Sequence, residues 1–158
     1  MLDLHDFPGQ GTALVGLLDA FWDSKGIVAA EDFRNFCSPV VPLTRFPKAV
    51  YTNNELFEAT VEIANYAASD IDNKKILWNL FGPGRKSVAS GYFDAAHIEK
   101  GKNSVIGKIS ASLNQVTVAT CLTLEVAVAE TPYKNSWSVW VYPENVAINA
   151  GDVCVTDN

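Results

Sequence analysis

From Lys48 to Pro143 the chain alternates apolar and polar residues with a period of two. Successive side chains of a strand point to opposite faces, so each such run is a strand with one face to bury. Phe57, Ala59, Val61 and Ile63 alternate with Glu58, Thr60 and Glu62. Ile76, Trp78 and Leu80 line the next run, and Gly82-Pro83-Gly84 then marks a turn. Val88 to Phe93 reads as a short strand. Val105, Gly107, Ile109, Ala111 and Leu113 share one face, opposite Lys108, Ser110 and Ser112. Leu122, Leu124, Val126 and Val128 form another, and Trp137, Val139 and Val141 the last. Roughly six or seven short strands with one apolar face each predict a mainly β protein, an immunoglobulin-like antiparallel β-sandwich. Such folds often bury a tryptophan on the third strand, where Trp78 stands, and carry a cysteine pair between sheets. Cys121 has no partner on the Phe57–Ile63 strand, so that pair is absent.

The first forty residues follow a different period. Leu14, Leu17, Leu18, Phe21 and Trp22 recur at helical spacing, with Thr12 as N-cap and Gly26 as the stop. Only Asp19 and Asp23 give that expected helix a polar stripe. A helix so apolar belongs inside something large, which suggests a piece of a bigger protein. A second short helix is expected from Ala30 to Cys37, with Glu31 and Asp32 at its positive end. Pro39, Pro42 and Pro47 make the following stretch an extended, stiff connector. The expected organisation is a short helical N-terminal arm with its connector over 1–44, the sandwich over 45–143, and the start of a further unit over 144–158. The arm is expected to fold back onto the sandwich or to pair with a second copy, because several large apolar side chains would otherwise stay in water.

Composition narrows the function classes. The net charge is −6 with acids and bases mixed, and no Lys/Arg cluster offers a nucleic-acid or anionic-membrane surface. No apolar run reaches membrane-spanning length. Cys37, Cys121 and Cys154 are far apart and fit neither a disulfide framework nor a zinc site. Asp70-Ile71-Asp72-Asn73 lacks the glycine and the glutamate of a calcium loop, with Lys75 and Phe81 in their places. Gly9-Gln10-Gly11 lacks the third glycine of a dinucleotide fingerprint, whose position holds Leu14. No cofactor and no metal are expected. The acid pairs Asp3/Asp6, Asp19/Asp23, Glu31/Asp32, Glu55/Glu58 and Asp70/Asp72 each read as helix, strand-edge or turn residues, so no catalytic pair is assigned.

Two places could carry function. His5-Asp6 ends an apparent strand just before a glycine turn, where a barrel enzyme sets its site residues. A hydrogen-bonded structural pair is the equal alternative. On the last strand, Trp140 and Tyr142 point away from the core with Ser136 and Ser138. Such a pair either stacks on sugar rings or covers a neighbouring domain, and the second is favoured.

The segments Asp6-Phe7-Pro8-Gly9-Gln10-Gly11-Thr12-Ala13, Asp19-Ala20-Phe21-Trp22-Asp23-Ser24-Lys25-Gly26 and Asn135-Ser136-Trp137-Ser138-Val139-Trp140-Val141-Tyr142-Pro143 together resemble multidomain glycoside hydrolases of the β-galactosidase/β-glucuronidase type. The resemblance runs along nearly the whole chain and includes no catalytic motif. It implies the end of a (β/α)8 barrel followed by an immunoglobulin-like domain. The parent's acid/base and nucleophile glutamates would lie outside this chain, leaving His5 and Asp6 as candidate substrate contacts. By the same resemblance the parent would be periplasmic or extracellular and act on β-linked carbohydrates. This region would be a non-catalytic brace whose partners are the parent's other domains. A carbohydrate-binding module and a structural or adhesive surface domain are the alternatives.

Overall fold

The computed structural model describes residues 4–9 and 14–145, with the side chain of Ala96 left aside. One α-helix, α1 (Ala30–Phe36), precedes eight strands: β1 (Val40–Arg45), β2 (Val50–Thr52), β3 (Leu56–Asn65), β4 (Ile71–Phe81), β5 (Ser87–Ile98), β6 (Lys102–Ser112), β7 (Thr120–Val128) and β8 (Lys134–Tyr142). They form two sheets, ordered β1-β3-β6 and β2-β8-β7-β4-β5. Every pairing is antiparallel except β2 with β8, which is parallel. The core lies between the sheets, where Phe57, Ile63 and Ile109 of one meet Ile76, Leu80, Leu124 and Val139 of the other. The immunoglobulin-like sandwich expected from the alternation is therefore present.

The proline-rich stretch is extended, as expected, and it is also a strand. β1 pairs with β3 alone and sits at a sheet edge. Pro42 is tolerated there because an edge strand has one unpaired side on which a missing N–H costs nothing. The sheet thus begins at Val40, and the boundary drawn between residues 44 and 45 falls inside β1.

The arm departs from expectation. Of its two helices only α1 forms; residues 14–29 hold no helix. Asp19 explains why. Its Oδ1 accepts hydrogen bonds from the backbone N–H of Phe21 at 2.8 Å and of Asp23 at 2.9 Å, closing a local turn instead of a helical stripe. Trp22 then takes a positive φ of 70°, and Leu18 bridges His5 on one side and Ser24 on the other. An apolar helix draws most of its stability from packing, and Leu14, Phe21 and Trp22 are left exposed here. Thr12, its expected N-cap, lies outside the described residues, as does the expected Val153-Cys154-Val155 strand. The arm meets the sandwich through α1, which touches β1 and β8. Leu14, Val15, Phe21 and Trp22 remain exposed, Phe21 by 85%.

One strand face also departs from the simple alternation. β3 and β6 slip register between Val61 and Glu62: Val61 faces Gly107, and Glu62 faces Val105. The extra residue, Ile106, reverses the parity beyond it. Val105, expected in the core, is consequently exposed, while Ile106 packs against the core. Gly107 remains on the inner face because the ring of Phe93 fills its place: a Cβ there would lie 2.5 Å from Phe93 Cε1.

Candidate functional site

The outer face of the five-stranded sheet carries the candidate aromatics. In β8 the alternation buries Val139 and Val141 and turns Trp140 and Tyr142 outward, 46% and 44% exposed. Neighbouring strands extend the surface. Val50 of β2 is the register partner of Trp140, and Thr52 that of Tyr142. On the other side Cys121 pairs with Trp140 and Thr123 with Ser138. Val50 is itself half exposed. Short β2, which carries no marked periodicity, was not anticipated, and it widens the patch by a strand. Further across the same face lie Leu77 and Tyr92, which are register partners, with Lys75 Nζ 4.1 Å above the Tyr92 ring. Leu77, Tyr92, Asn79 and Glu125 line a shallow depression of about 380 Å³. Polar and charged residues are interspersed on this face: Ser138, Thr123 and Glu125 lie between the two aromatic groups, and Lys75 and its register partner Asp94 border Tyr92.

The structure places His5 and Asp6 together on the arm, far along the chain from Trp140 and Tyr142. Asp6 is buried with both oxygens engaged. Oδ1 accepts from the Gly16 N–H at 2.8 Å and Oδ2 from Lys25 Nζ at 2.9 Å. Lys25 Nζ also donates to the carbonyls of Gly16, at 2.9 Å, and Leu14, at 3.2 Å. The Lys25 hydrogen bond holds the Asp6 carboxyl below its ordinary pKa, against the upward push of burial. This cluster fastens the Leu4–Gly9 segment to the loop over 14–25. Gly16 is needed for the approach, since a Cβ there would fall 2.5 Å from the His5 carbonyl carbon. His5 stacks on Trp22 with centroids 4.3 Å apart and planes 20° from parallel, and lies 5.1 Å from Phe7. Beside them Leu4, Leu17, Leu18, Val28 and Phe33 line an open apolar cleft of about 500 Å³ between the arm and α1.

Polar residues that sequence reasoning passed over sit elsewhere. Glu62 is buried on β3 and held by Arg45 across the sheet, with Nε 2.6 Å from Oε1. Asn65 is wholly buried and fully paired: Nδ2 donates to the carbonyls of Ser69 and Ile98, and Oδ1 accepts from the Ala67 N–H. Of the other paired acids, Asp19, Glu55, Asp70 and Asp72 are engaged by neighbours. Glu55 accepts from Lys48 Nζ and from the N–H of Thr52, which lowers its pKa. Among the described residues no group of three or more His, Cys, Asp or Glu is placed to hold a metal ion. No helix among them is long and apolar enough to cross a membrane.

The profile of a sequence family described as "Domain of unknown function (DUF8488)" matches residues 55–143, a span running from just before β3 to just after β8. No curated protein matches. Among solved structures, the CARDB domain of a Pyrococcus furiosus protein in solution superposes with a TM-score of 0.52 at 14% identity, over 67% of this chain and 96% of that one. The crystal structure of that domain in complex with di-metal ions gives 0.50 at 13% identity, over 66% and 94%. A Parabacteroides merdae β-glucuronidase also matches, at 15% identity and TM-score 0.45, over 65% of this chain and 14% of that one. At these identities the likeness to the CARDB domain is one of fold.

Proposed function

Starting from a chain that belongs to the DUF8488 family, we propose that this region is a non-catalytic accessory β-sandwich of a larger multidomain protein, a glycoside hydrolase acting on β-linked carbohydrates. Its task is to brace the catalytic barrel and position neighbouring domains. The observation that carries this reading is the outer face of the five-stranded sheet, where Val50, Trp140 and Tyr142 lie half exposed side by side. Aromatic residues standing in water on a flat sheet face are the raw material of an interface core. The exposed Leu14, Val15 and Phe21 of the arm supply a second such surface. The hydrolase assignment rests on the sequence resemblance of the arm and of the Asn135–Pro143 segment. In that parent, His5 and Asp6 would border the substrate, and the protein would work in the periplasm or outside the cell. Asp6, with both oxygens engaged, would act by fixing the loop that carries His5.

The test compares the solvent accessibility of the Trp140 and Tyr142 side chains in this chain and in the longer natural polypeptide. Protection of both in the longer protein supports docking. Protection in the isolated chain on adding oligosaccharide would instead make the face a sugar platform, and equal accessibility throughout would leave it without a partner.

A further inference from the structure

At one end of the sandwich the 66–70 loop meets the 98–102 hairpin, and two sets of bonds join them. One set cannot titrate. The side-chain amide of buried Asn65 donates to the carbonyls of Ser69 and Ile98, and its backbone carbonyl accepts from the Gly101 N–H at 2.6 Å. The other set is built around His97, the register partner of Asp72. Its Nδ1 lies 2.7 Å from Asp72 Oδ1, and its Nε2 lies 4.0 Å from Asp70 Oδ2. The second oxygen of Asp70 accepts from the backbone N–H of Lys100 at 2.9 Å. His97 thus stands between two carboxylates, one of which holds the hairpin.

At 4.0 Å the Asp70 contact is a charge pair and not a hydrogen bond, so a neutral imidazole holds only Asp72, by its Nδ1 hydrogen bond, whereas an imidazolium also attracts Asp70. We propose that His97 is a pH-operated clamp: protonated, it joins Asp72 to Asp70 and fixes Asp70 against the Lys100 amide; neutral, it releases Asp70 and loosens the loop that carries the exposed Tyr66. The other charged groups at this end are Glu99, Lys100 and Lys102. Lys102 Nζ is paired with Glu99, and Lys100 Nζ donates to the Ala68 carbonyl at 3.3 Å. Both carboxylates and Glu99 favour the charged imidazole and raise its pKa, the Asp72 hydrogen bond most. The clamp is therefore closed in mildly acid solution and opens as pH rises through that elevated value. This inference concerns a different part of the sandwich from the docking face and does not depend on that reading.

The test is amide hydrogen exchange at Lys100 and Gly101 between pH 5 and 8, corrected for intrinsic rates, beside a direct titration of the His97 ring. Lys100 protection should fall several-fold across the His97 titration, while Gly101, held by Asn65, stays constant. In His97→Asn, Lys100 protection should be low and independent of pH. Constant Lys100 protection in the wild-type chain overturns the proposal, and so does a parallel loss at Gly101, which would report general fraying. The wild-type comparison stands even where the variant folds poorly.

Discussion

Phe57→Ala should be among the most damaging single changes in this chain. Phe57 is fully buried near the start of β3 and is wedged between Phe46, 5.8 Å away, and Tyr51, 5.5 Å away and nearly perpendicular. Truncation removes the ring and leaves a cavity that two sheets held in register by long strands cannot close. Buried Phe→Ala changes cost about 3–5 kcal/mol. A domain of this size is stable by roughly 5–15 kcal/mol, so the variant should still fold, with little in reserve. With a urea slope of about 2 kcal/mol/M, the midpoint should fall by about 2 M. Urea unfolding followed by far-UV circular dichroism and by tryptophan fluorescence measures it. Val105→Ala is the control: Val105 is exposed by the bulge, so its loss should stay within about 0.5 kcal/mol. A Phe57→Ala midpoint within 0.5 M of wild type (about 1 kcal/mol) would refute the placement of this ring in the core.

Gly107→Ala should destabilise by about 1–3 kcal/mol, because its Cβ must displace the Phe93 ring. A smaller side chain in Phe93→Leu should recover part of the loss, and thermal melts of the two single variants and the double variant measure the coupling. Acid should loosen the arm before the sandwich. The Asp6 pKa is lowered in the folded arm, so its contribution is complete above the ordinary carboxylate pKa and is lost as pH falls through the lowered value. Proteolysis near Leu14–Lys25 should therefore accelerate in that range, and Asp6→Asn should show the same susceptibility at neutral pH.

The strands were legible because one buried face per strand writes a period of two into the sequence, and the switch of face along β8 identified Trp140 and Tyr142 correctly as outward. What escaped notice depended on partners distant in the chain. The bulge opposite Val61 and Glu62 is a property of two strands paired together, and neither sequence alone marks it. Short β2 exists because β8 offers it an edge. In the arm, helical spacing was real but insufficient: a single side chain, Asp19, captured the backbone amides of Phe21 and Asp23. The environment of Asp6 was equally hidden, since Lys25 and Gly16 reach it only once the loop has closed.

The central claim is that the outer sheet face docks within a larger protein, and side-chain footprinting with hydroxyl radicals tests it most directly. Labelling of Trp140 and Tyr142 is measured in this chain and in the longer natural polypeptide, with exposed Tyr66, at the far end of the sandwich, as the internal reference. Docking predicts a several-fold drop at Trp140 and Tyr142 in the longer protein with Tyr66 unchanged. Equal labelling of Trp140 in the two proteins would contradict it.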